Sequence, residues 1–276
     1  MQTVSITTDW GNTGIYVGLF KAKLVSRIPD VQLVEITHSI DAYKVADAVF
    51  ALRNAYPYFG QGTIHIVSVA AINVKDVKKN REFICFQYDG QYFIGPNNGL
   101  WSLLLPENPT TVYKLDSSNR DEVAETFIES DIFIDAIQKI SSGTPLNEIG
   151  EETEYYQGPR FGAPAVEHDG LRGTLLYFDV YGNAVTNITK KQFDEVGKGR
   201  AFKITIAQQQ YYTTVISKDY ESSGKYLIIA LFNSSGHLEL AVPFMSLKKF
   251  LGENANAGVY VQFFDTNDDG QNLRLE

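Results

Sequence analysis

The sequence predicts an α/β N-terminal domain with a largely parallel central sheet, followed by an all-β C-terminal barrel domain. Strand and helix signals alternate over the first 150 residues, which is typical of a parallel sheet covered by helices. After residue 170 most apolar segments are strand signals, and turns bearing glycine, serine or asparagine separate them. The 276 residues suffice for two domains with cores of their own.

The elements of the first half follow from local patterns. Runs rich in β-branched residues predict short strands, and apolar residues three and four apart predict helices. Val17, Phe20 and Leu24 share one helical face, and we expect Asp41 to cap a second helix. In chain order the predicted elements are strand TVSITTD, helix YVGLFKAKLVSRI, strand VQLVEITH, helix DAYKVADAVFALRNAY, strands TIHIVSVAAI, EFICFQYDG, QYFIGP and TVYKL, and helix EVAETFIESDIFIDAIQKI.

The second half begins beyond a segment that is rich in breakers. QGPRFGAP holds two prolines and two glycines in eight residues, which predicts a boundary. We therefore expect an α/β domain over 1–155, a linker over 156–170 and a barrel domain over 171–276. The strands predicted for the barrel are LRGTLLYFDVYGN, AFKITIAQQQYYTTVI, KYLIIALFN, HLELAVPF and VYVQFF.

Composition excludes several classes of protein. A formal charge of −9 argues against non-specific nucleic-acid binding and against anionic membrane surfaces. No apolar run approaches the roughly 20 residues of a membrane span, and residues 1–10 lack the pattern of a signal peptide. We therefore expect a soluble cytoplasmic protein without nucleic-acid or membrane partners.

Cysteine and histidine usage gives no support for a metal site. Cys85 is the only cysteine, so neither an internal disulfide nor a cysteine zinc site can form. The four histidines are not paired at metal-ligand spacing. Cys85 and His65 both lie in predicted strands; we expect Cys85 to be a core residue and His65 to be either a hydrogen-bonded core residue or a residue on a strand face.

Asp9 is the first candidate for a ligand contact. It follows the first predicted strand, and α/β sheets place ligands beyond the carboxyl ends of their strands. A carboxylate at this position can accept hydrogen bonds from both hydroxyls of a ribose. The alternative is a turn aspartate that bonds to its own backbone.

Polar residues in two further segments are candidates of the same kind. FDVYGNAVTNI places Asp179 and Asn183 among apolar residues, and an asparagine amide can read an adenine edge. IGPNNGL contributes Asn97 as a candidate binding residue. Turn chemistry is the alternative in both segments. No GxGxxG, phosphate loop or GxSxG occurs, so neither a phosphate-cradling site nor a serine hydrolase is indicated.

Seven segments taken in order resemble one family. They are TTDWGNTGIYVGLFKAKL, VEITHSI, YPYFGQGTIHI, FIGPNNGLWSLLL, TFIESDIF, YGNAVTNI and NSSGHLELAV. Together they resemble the S-adenosylmethionine hydroxide adenosyltransferase family, whose relatives are the fluorinating and chlorinating adenosyl enzymes. The resemblance implies a homotrimer that binds S-adenosylmethionine between the N-terminal domain of one subunit and the C-terminal domain of its neighbour. It implies no cofactor beyond this adenosyl substrate or ligand.

The resemblance also implies a reaction and roles for particular residues. Water or halide attacks the 5′ carbon of the ribose and methionine leaves, so the protein mainly aligns and desolvates the nucleophile. By position, Asp9 holds the ribose hydroxyls, Tyr43 packs on the sugar, Asn183 reads the adenine and Asp179 meets the methionine ammonium. Ser235 lies in the segment that lines the adenine pocket.

The residues at the positions that orient the attacking water depart from the family pattern. The hydrolases orient water with an Asp, an Arg and a His; here Ala70 and Ile128 stand at the Asp and His positions, and Arg81 at the Arg position. Gly14 replaces an acidic residue on the methionine side. Glu129 falls near the halide-binding serine of the fluorinating enzyme, where an ionised carboxylate repels halide, so halogenation is disfavoured.

Three hypotheses follow. In the first, Asp76 or Glu129 orients water together with Arg81, in a rebuilt hydrolase site. In the second, the protein binds S-adenosylmethionine or adenosine without turnover. In the third, the longer 70–81 loop acts on a different adenosyl substrate through lysines that are otherwise explained as a solvated charge run, namely Lys75, Lys78 and Lys79.

Overall fold

The chain folds as two compact units, Met1–Arg160 and Phe161–Glu276. The computed structural model describes residues 1–42, 44–71, 82–116, 127–158, 160, 162–207, 211–221, 227–252 and 258–264. Within these residues, no helix combines the length and the apolar character that crossing a bilayer requires.

A seven-stranded sheet forms the centre of the first unit. Its strands are β1 (Gln2–Thr8), β2 (Val31–Thr37), β3 (Ile64–Ser68), β4 (Phe83–Tyr88), β5 (Gln91–Pro96), β6 (Val112–Leu115) and β7 (Gly150–Thr153). They lie in the order β2-β1-β3-β5-β4-β6-β7. The run β2-β1-β3-β5 is parallel, whereas β4, β6 and β7 add antiparallel pairs at one side. The α/β class and the parallel centre of the sheet agree with the sequence prediction.

Helices cover this sheet. They are α1 (Tyr16–Arg27), α2 (Val45–Ala55), α3 (Leu100–Leu104), α4 (Ile128–Ser141) and α5 (Leu146–Ile149), with a 3₁₀ turn at Tyr56–Tyr58. Phe20 and Leu24 of the predicted α1 face are buried. The prediction that Asp41 caps α2 is wrong, because the helix begins at Val45 and Lys44 occupies the N-cap position.

The core of the first unit contains a histidine in a neutral environment. His65 on β3 is fully buried. Ser5 Oγ and His65 Nδ1 are 2.6 Å apart, and His65 Nε2 lies 2.6 Å from the side-chain oxygen Oε1 of Gln91. Gln91 Oε1 only accepts, so Nε2 carries the proton and Nδ1 accepts from the Ser5 hydroxyl. Burial lowers the pKa of His65 to about 4, and the bond to Gln91 partly opposes that shift. His65 is thus a core residue with both ring nitrogens hydrogen-bonded, which is the first of the two alternatives predicted from its strand position.

This environment predicts acid sensitivity. In the unfolded chain a histidine binds its proton below a pKa of about 6.5, whereas folded His65 binds one only near 4. The contribution of neutral His65 to the unfolding free energy is therefore complete above pH 6.5. As the pH falls from 6.5 to 4, the unfolding free energy decreases by about 3 kcal/mol on account of this residue. Denaturant titrations between pH 7 and pH 4 should show a shallower decline for His65→Gln than for the exposed control His168→Gln. Equal slopes for the two variants would contradict this assignment.

Cys85 on β4 is a second buried residue of this core, after His65, whose side chain could react chemically if it were exposed. Its side chain is inaccessible, and burial raises the pKa of the thiol to about 12. A thiol that stays protonated at neutral pH is a poor nucleophile. Cys85 is therefore a core residue, as predicted.

The second unit contains two antiparallel sheets. One has the order β10-β11-β15-β14 and the other the order β13-β12-β16-β9-β8. Their strands are β8 (Ala165–Glu167), β9 (Gly170–Gly173), β10 (Leu175–Phe178), β11 (Ala184–Thr189), β12 (Ala201–Ile206), β13 (Tyr211–Thr213), β14 (Ile229–Phe232), β15 (His237–Ala241) and β16 (Val259–Phe264). The antiparallel character agrees with the prediction, whereas closure into a barrel stays a prediction. β8 lies inside the stretch predicted as a linker.

One apolar core joins the two sheets of the second unit. Leu171, Leu240 and Val261 belong to the same buried cluster, although they lie on different sheets. Two short helices, α6 (Lys190–Gly197) and α7 (Leu247–Leu251), contribute to it. α6 begins at a capping box in which Thr189 and Gln192 satisfy each other's backbone groups. The β11–α6 corner is therefore set locally, at the opposite end of β11 from the segment that carries Asp179 and Asn183.

Candidate functional site

Four strand ends form one edge of the first unit's sheet. Because β2, β1, β3 and β5 are parallel, their carboxyl ends meet there. The segments after these strands are 8–11, 37–39, 68–70 and 97–99, and we call them the carboxyl edge. Ligands of α/β sheets bind outside such edges.

Asp9 lies on the carboxyl edge between β1 and β3. Its backbone N–H donates to the Ser68 carbonyl at 3.1 Å, and its Oδ2 accepts from the Ala70 N–H at 3.0 Å. The side chain is half-buried. One carboxylate oxygen is thus fixed by the backbone, and a carboxylate has capacity for further donors such as hydroxyls.

Two neighbours fix the exit of β3 beside Asp9. Ala70 has a φ of +50°, an uncommon conformation for a residue with a side chain. Asn98 Nδ2 lies 3.2 Å from the Val69 carbonyl and 3.3 Å from the Ala70 carbonyl, and Asn98 Oδ1 accepts from the Leu100 N–H. The sequence analysis named Asn97 as the candidate of this pair, whereas Asn98 is the residue that holds this exit.

Asn97 has a different set of partners. Its amide nitrogen donates to a Glu82 carboxylate oxygen at 2.8 Å and to the Glu154 carbonyl at 3.0 Å, and its oxygen accepts from the Tyr156 N–H. These contacts satisfy the amide inside the first unit. They favour the structural alternative for Asn97 over a ligand contact.

Gly95 explains why the IGPNNG segment can run so close to β3. A Cβ at this position would lie 2.4 Å from the Val67 carbonyl oxygen and 2.8 Å from the Trp101 ring. The Trp101 indole N–H donates to the Pro96 carbonyl at 2.9 Å, which locks the ring against the strand. Only glycine fits between these groups, so the close packing of β3 on β5 beneath the carboxyl edge depends on it.

His38, which is buried, and Trp10 bond to residues that flank Asp9, and neither was a site candidate from the sequence. His38 is 2% exposed, its Nδ1 lies 2.7 Å from Thr8 Oγ1, and its carbonyl accepts from the Gly11 N–H. Trp10 stacks on the His38 ring and donates from Nε1 to Ser68 Oγ. Burial lowers the pKa of His38, although the Glu35 carboxylate 3.6 Å from Nε2 opposes this.

The start of α4 holds the residues predicted for the water site. Ile128 is 9% exposed and belongs to the apolar core of the first unit. Glu129 is half-buried in the first turn, where a carboxylate also stabilises the helix dipole. Its neighbour Asp131 pairs with Lys23 at 2.8 Å.

In the second unit, Asp179 and Asn183 lie in one turn and bond to each other. Asp179 Oδ1 accepts from the backbone N–H groups of Tyr181 (2.9 Å) and Asn183 (2.8 Å). Asp179 Oδ2 accepts from Asn183 Nδ2 at 3.0 Å. Asn183 is 7% exposed. The aspartate therefore organises the 179–183 turn and orients the asparagine amide.

This turn borders a cavity of about 670 Å³. The volume lies in the range of small-molecule sites. Its lining contains two carboxylates and no lysine, arginine or histidine among the residues that the structure describes. The lining residues are Asp179, Tyr181, Asn183, Tyr220, Glu221, Ile229, Ala241, Val242, Pro243, Phe244, Met245 and Ser246. We call this the second-unit cavity.

A buried carboxylate supports one wall of the cavity. Glu239 on β15 is 4% exposed, and the Tyr220 hydroxyl donates to its Oε1 at 2.5 Å. Asn233 Nδ2 donates to its Oε2 at 2.9 Å. Burial, followed by the bond to Glu239, raises the pKa of Tyr220 above its usual range. Tyr220 is thus a neutral hydroxyl with its proton committed to Glu239.

The remaining predicted site residues are placed as follows. Ser235 is an exposed turn residue whose N–H donates to Asn233 Oδ1 at 3.0 Å. It is not among the described residues that line the second-unit cavity. Tyr43, Asp76 and Arg81 lie outside the residues that the structure describes. No cluster of His, Cys, Asp and Glu within the described segments is suited to a metal ion.

Two family models match the chain in order. The model of the SAM hydroxide adenosyltransferase N-terminal domain matches residues 4–150, and that of the C-terminal domain matches residues 173–260. A protein of Methanocaldococcus jannaschii named (R)-S-adenosyl-L-methionine hydrolase is 25% identical, over 96% of this chain and 94% of its own. A Thermus thermophilus protein of the same name is 27% identical, over 91% and 96%.

A fluorinase and a solved structure are also similar to this chain. A protein of Actinopolyspora mzabensis named fluorinase is 24% identical, over 86% of this chain and 89% of its own. The crystal structure of an uncharacterized conserved protein from Thermotoga maritima has a TM-score of 0.78 at 22% identity, and it covers 94% of this chain and 99% of its own. The two family models together cover more than half of the sequence, so the chain belongs to the S-adenosylmethionine hydroxide adenosyltransferase family.

Proposed function

We propose that the protein is an S-adenosylmethionine hydrolase. The observation that carries this proposal is the match of both family domains, in order, together with hydrolase relatives that span more than 90% of the chain. In the reaction, the oxygen of water bonds to the 5′ carbon of the ribose while the bond from that carbon to sulfur breaks. The electron pair stays on sulfur, which leaves as neutral methionine, and the proton of water goes to solvent. The products are adenosine and methionine.

We assign the nucleoside contacts to residues whose surroundings suit them. Asp9 accepts hydrogen bonds from the ribose hydroxyls, and the bond from the Ala70 N–H that fixes its Oδ2 supports this role. Asn183 reads the adenine edge and Asp179 meets the methionine ammonium. The acidic lining of the second-unit cavity supports binding of a cation, because carboxylates near a sulfonium or an ammonium attract it. Tyr43 and Ser235 are further contacts proposed from the sequence. Asn97 is a third, although its side-chain hydrogen bonds within the first unit favour a structural role.

For the attacking water we propose Arg81 with Asp76 or Glu129. Alignment of a single water on the 5′ carbon is the main requirement, because the sulfonium is already a good leaving group. Ala70 offers only its backbone at the position of the family aspartate. We therefore expect turnover slower than that of relatives with the full set of water-positioning residues.

A second candidate function is binding of an adenosyl ligand without turnover. The apolar character of Ala70 and Ile128 favours it, since Ile128 is part of the core and presents no polar group. An adenosyl-transferring enzyme with a different substrate is the remaining alternative.

Product formation separates these candidates. Purified protein at a concentration comparable to that of S-adenosylmethionine is incubated with it, and adenosine and methionine are followed by chromatography against a sample without protein. We expect equal amounts of both products above the control. Binding in calorimetry without products would favour the binding protein, and absence of both binding and products would overturn both candidates.

We further propose the homotrimer of the family, with sites between subunits, a closed barrel in the second unit and a cytoplasmic location. The trimer is what the family resemblance implies. Light scattering should give three times the chain mass of 30.9 kDa. A mass of one chain under the conditions of the assay would contradict the trimer.

A further inference from the structure

The 242–245 turn beside the second-unit cavity has an unusual residue at its third position. The Met245 N–H donates to the Val242 carbonyl at 3.2 Å, which closes the turn. Pro243 occupies the second position and Phe244 the third, with a φ of +58°. Proline followed by positive φ is typical of a type II turn, in which the third position favours glycine or asparagine. An aromatic residue there is strained.

The residues that the structure describes do not explain this strain. The Phe244 side chain is 101% exposed, so no burial in the chain offsets the unfavourable backbone conformation. Residues held in sparsely populated backbone regions cluster at ligand-binding positions, where the surrounding structure imposes them. A partner that covers the exposed ring from outside the chain's own core would account for an aromatic residue at this position.

The surroundings of Phe244 indicate a planar partner. Tyr181, Tyr220 and Met245 also line the cavity, and they are 76%, 47% and 56% exposed. Their apolar surfaces border a cavity whose polar lining includes the amide of Asn183. A heteroaromatic base satisfies both features, because its faces stack on aromatic rings and its edge bonds to an amide.

We propose that Phe244 is a specificity-determining residue that stacks on the purine base of the adenosyl ligand in the second-unit cavity. This inference rests on the proposed function for the identity of the ligand. It assigns base recognition to a side chain that the family resemblance did not single out. It also explains why the chain keeps an aromatic residue where the backbone favours glycine.

Two glycine variants separate a role in binding from a role in folding. Lys198 is a matched control, since it is exposed, has a φ of +50° and follows the last turn of α6, where glycine is favoured. Phe244→Gly and Lys198→Gly should both raise the melting temperature, because each relieves positive φ. Only Phe244→Gly should weaken adenosine binding in calorimetry, by about tenfold, as expected for the loss of one base–aromatic stack. Phe244→Tyr should keep the affinity within about twofold of the wild type.

The outcomes distinguish this inference from the function on which it rests. If the wild type binds adenosine and Phe244→Gly binds it equally well, the stacking role is wrong and the proposed function stands. If Phe244→Gly changes the particle mass in light scattering, the ring contacts a second copy of the chain, which also overturns the stacking role. If the wild type binds neither adenosine nor S-adenosylmethionine, the proposed function itself fails.

Discussion

Replacing Asp9 with alanine is expected to weaken binding of S-adenosylmethionine by about 100-fold or more and to abolish detectable product formation. A hydrogen bond to a charged group contributes roughly 1.5–3 kcal/mol, and Asp9 is proposed to accept two from the ribose. At about 1.4 kcal/mol per tenfold, the loss of both corresponds to at least about two orders of magnitude in affinity. Titration calorimetry with S-adenosylmethionine measures the effect.

Two variants serve as controls for Asp9. Asp9→Asn keeps one acceptor for the Ala70 N–H and should therefore fold with a melting temperature near that of the wild type, while binding at an intermediate affinity. Asp30→Ala changes an exposed aspartate of the same unit and should leave affinity unaltered. If Asp9→Ala binds as tightly as Asp30→Ala, the ribose assignment is wrong.

Replacing Asp179 with alanine is expected to lower both stability and affinity. The carboxylate accepts three hydrogen bonds within the 179–183 turn, and their loss leaves the buried Asn183 amide without its acidic partner. We expect the unfolding free energy of the second unit to fall by about 2–3 kcal/mol. Affinity for S-adenosylmethionine should fall about 30-fold or more, because the Asn183 amide loses its orientation and the ammonium loses a counter-charge.

A matched aspartate separates the two effects. Asp169 accepts hydrogen bonds from the Tyr260 hydroxyl and from Gln262 Nε2. It is not among the described residues that line the second-unit cavity. Asp169→Ala should destabilise the second unit in denaturant titrations without changing ligand affinity. Equal loss of affinity in both variants would mean that Asp179 acts only through folding, which contradicts its proposed contact with the ligand.

The parallel centre of the first unit was predictable because its signals are local. β1, α1, β2 and α2 show the periodicities of strands and helices, and Asp9 follows β1 directly. α3 and β7 were not predicted. α3 has five residues, too few for a periodic pattern, and β7 is an edge strand of sequence GEET without apolar alternation.

The supporting contacts of the site were not predictable because they join distant segments. Trp10 bonds to Ser68, 58 residues away, and His38 bonds to Thr8, 30 residues away. The sequence of residues 96–99, PNNG, does not indicate whether Asn97 or Asn98 holds the end of β3, because that depends on the direction in which each side chain points. The positive φ of Phe244 depends likewise on the folded turn rather than on sequence alone.

The most direct test of the proposed hydrolysis is the origin of the 5′ oxygen of adenosine. The protein is incubated with S-adenosylmethionine in water enriched in oxygen-18, and the adenosine formed is analysed by mass spectrometry. Attack of water on the 5′ carbon predicts adenosine that carries the heavy isotope at its 5′ hydroxyl, in an amount equal to the methionine released and absent from Asp9→Ala samples. Unlabelled adenosine, or no adenosine from protein that binds the ligand, would contradict hydrolysis at the 5′ carbon.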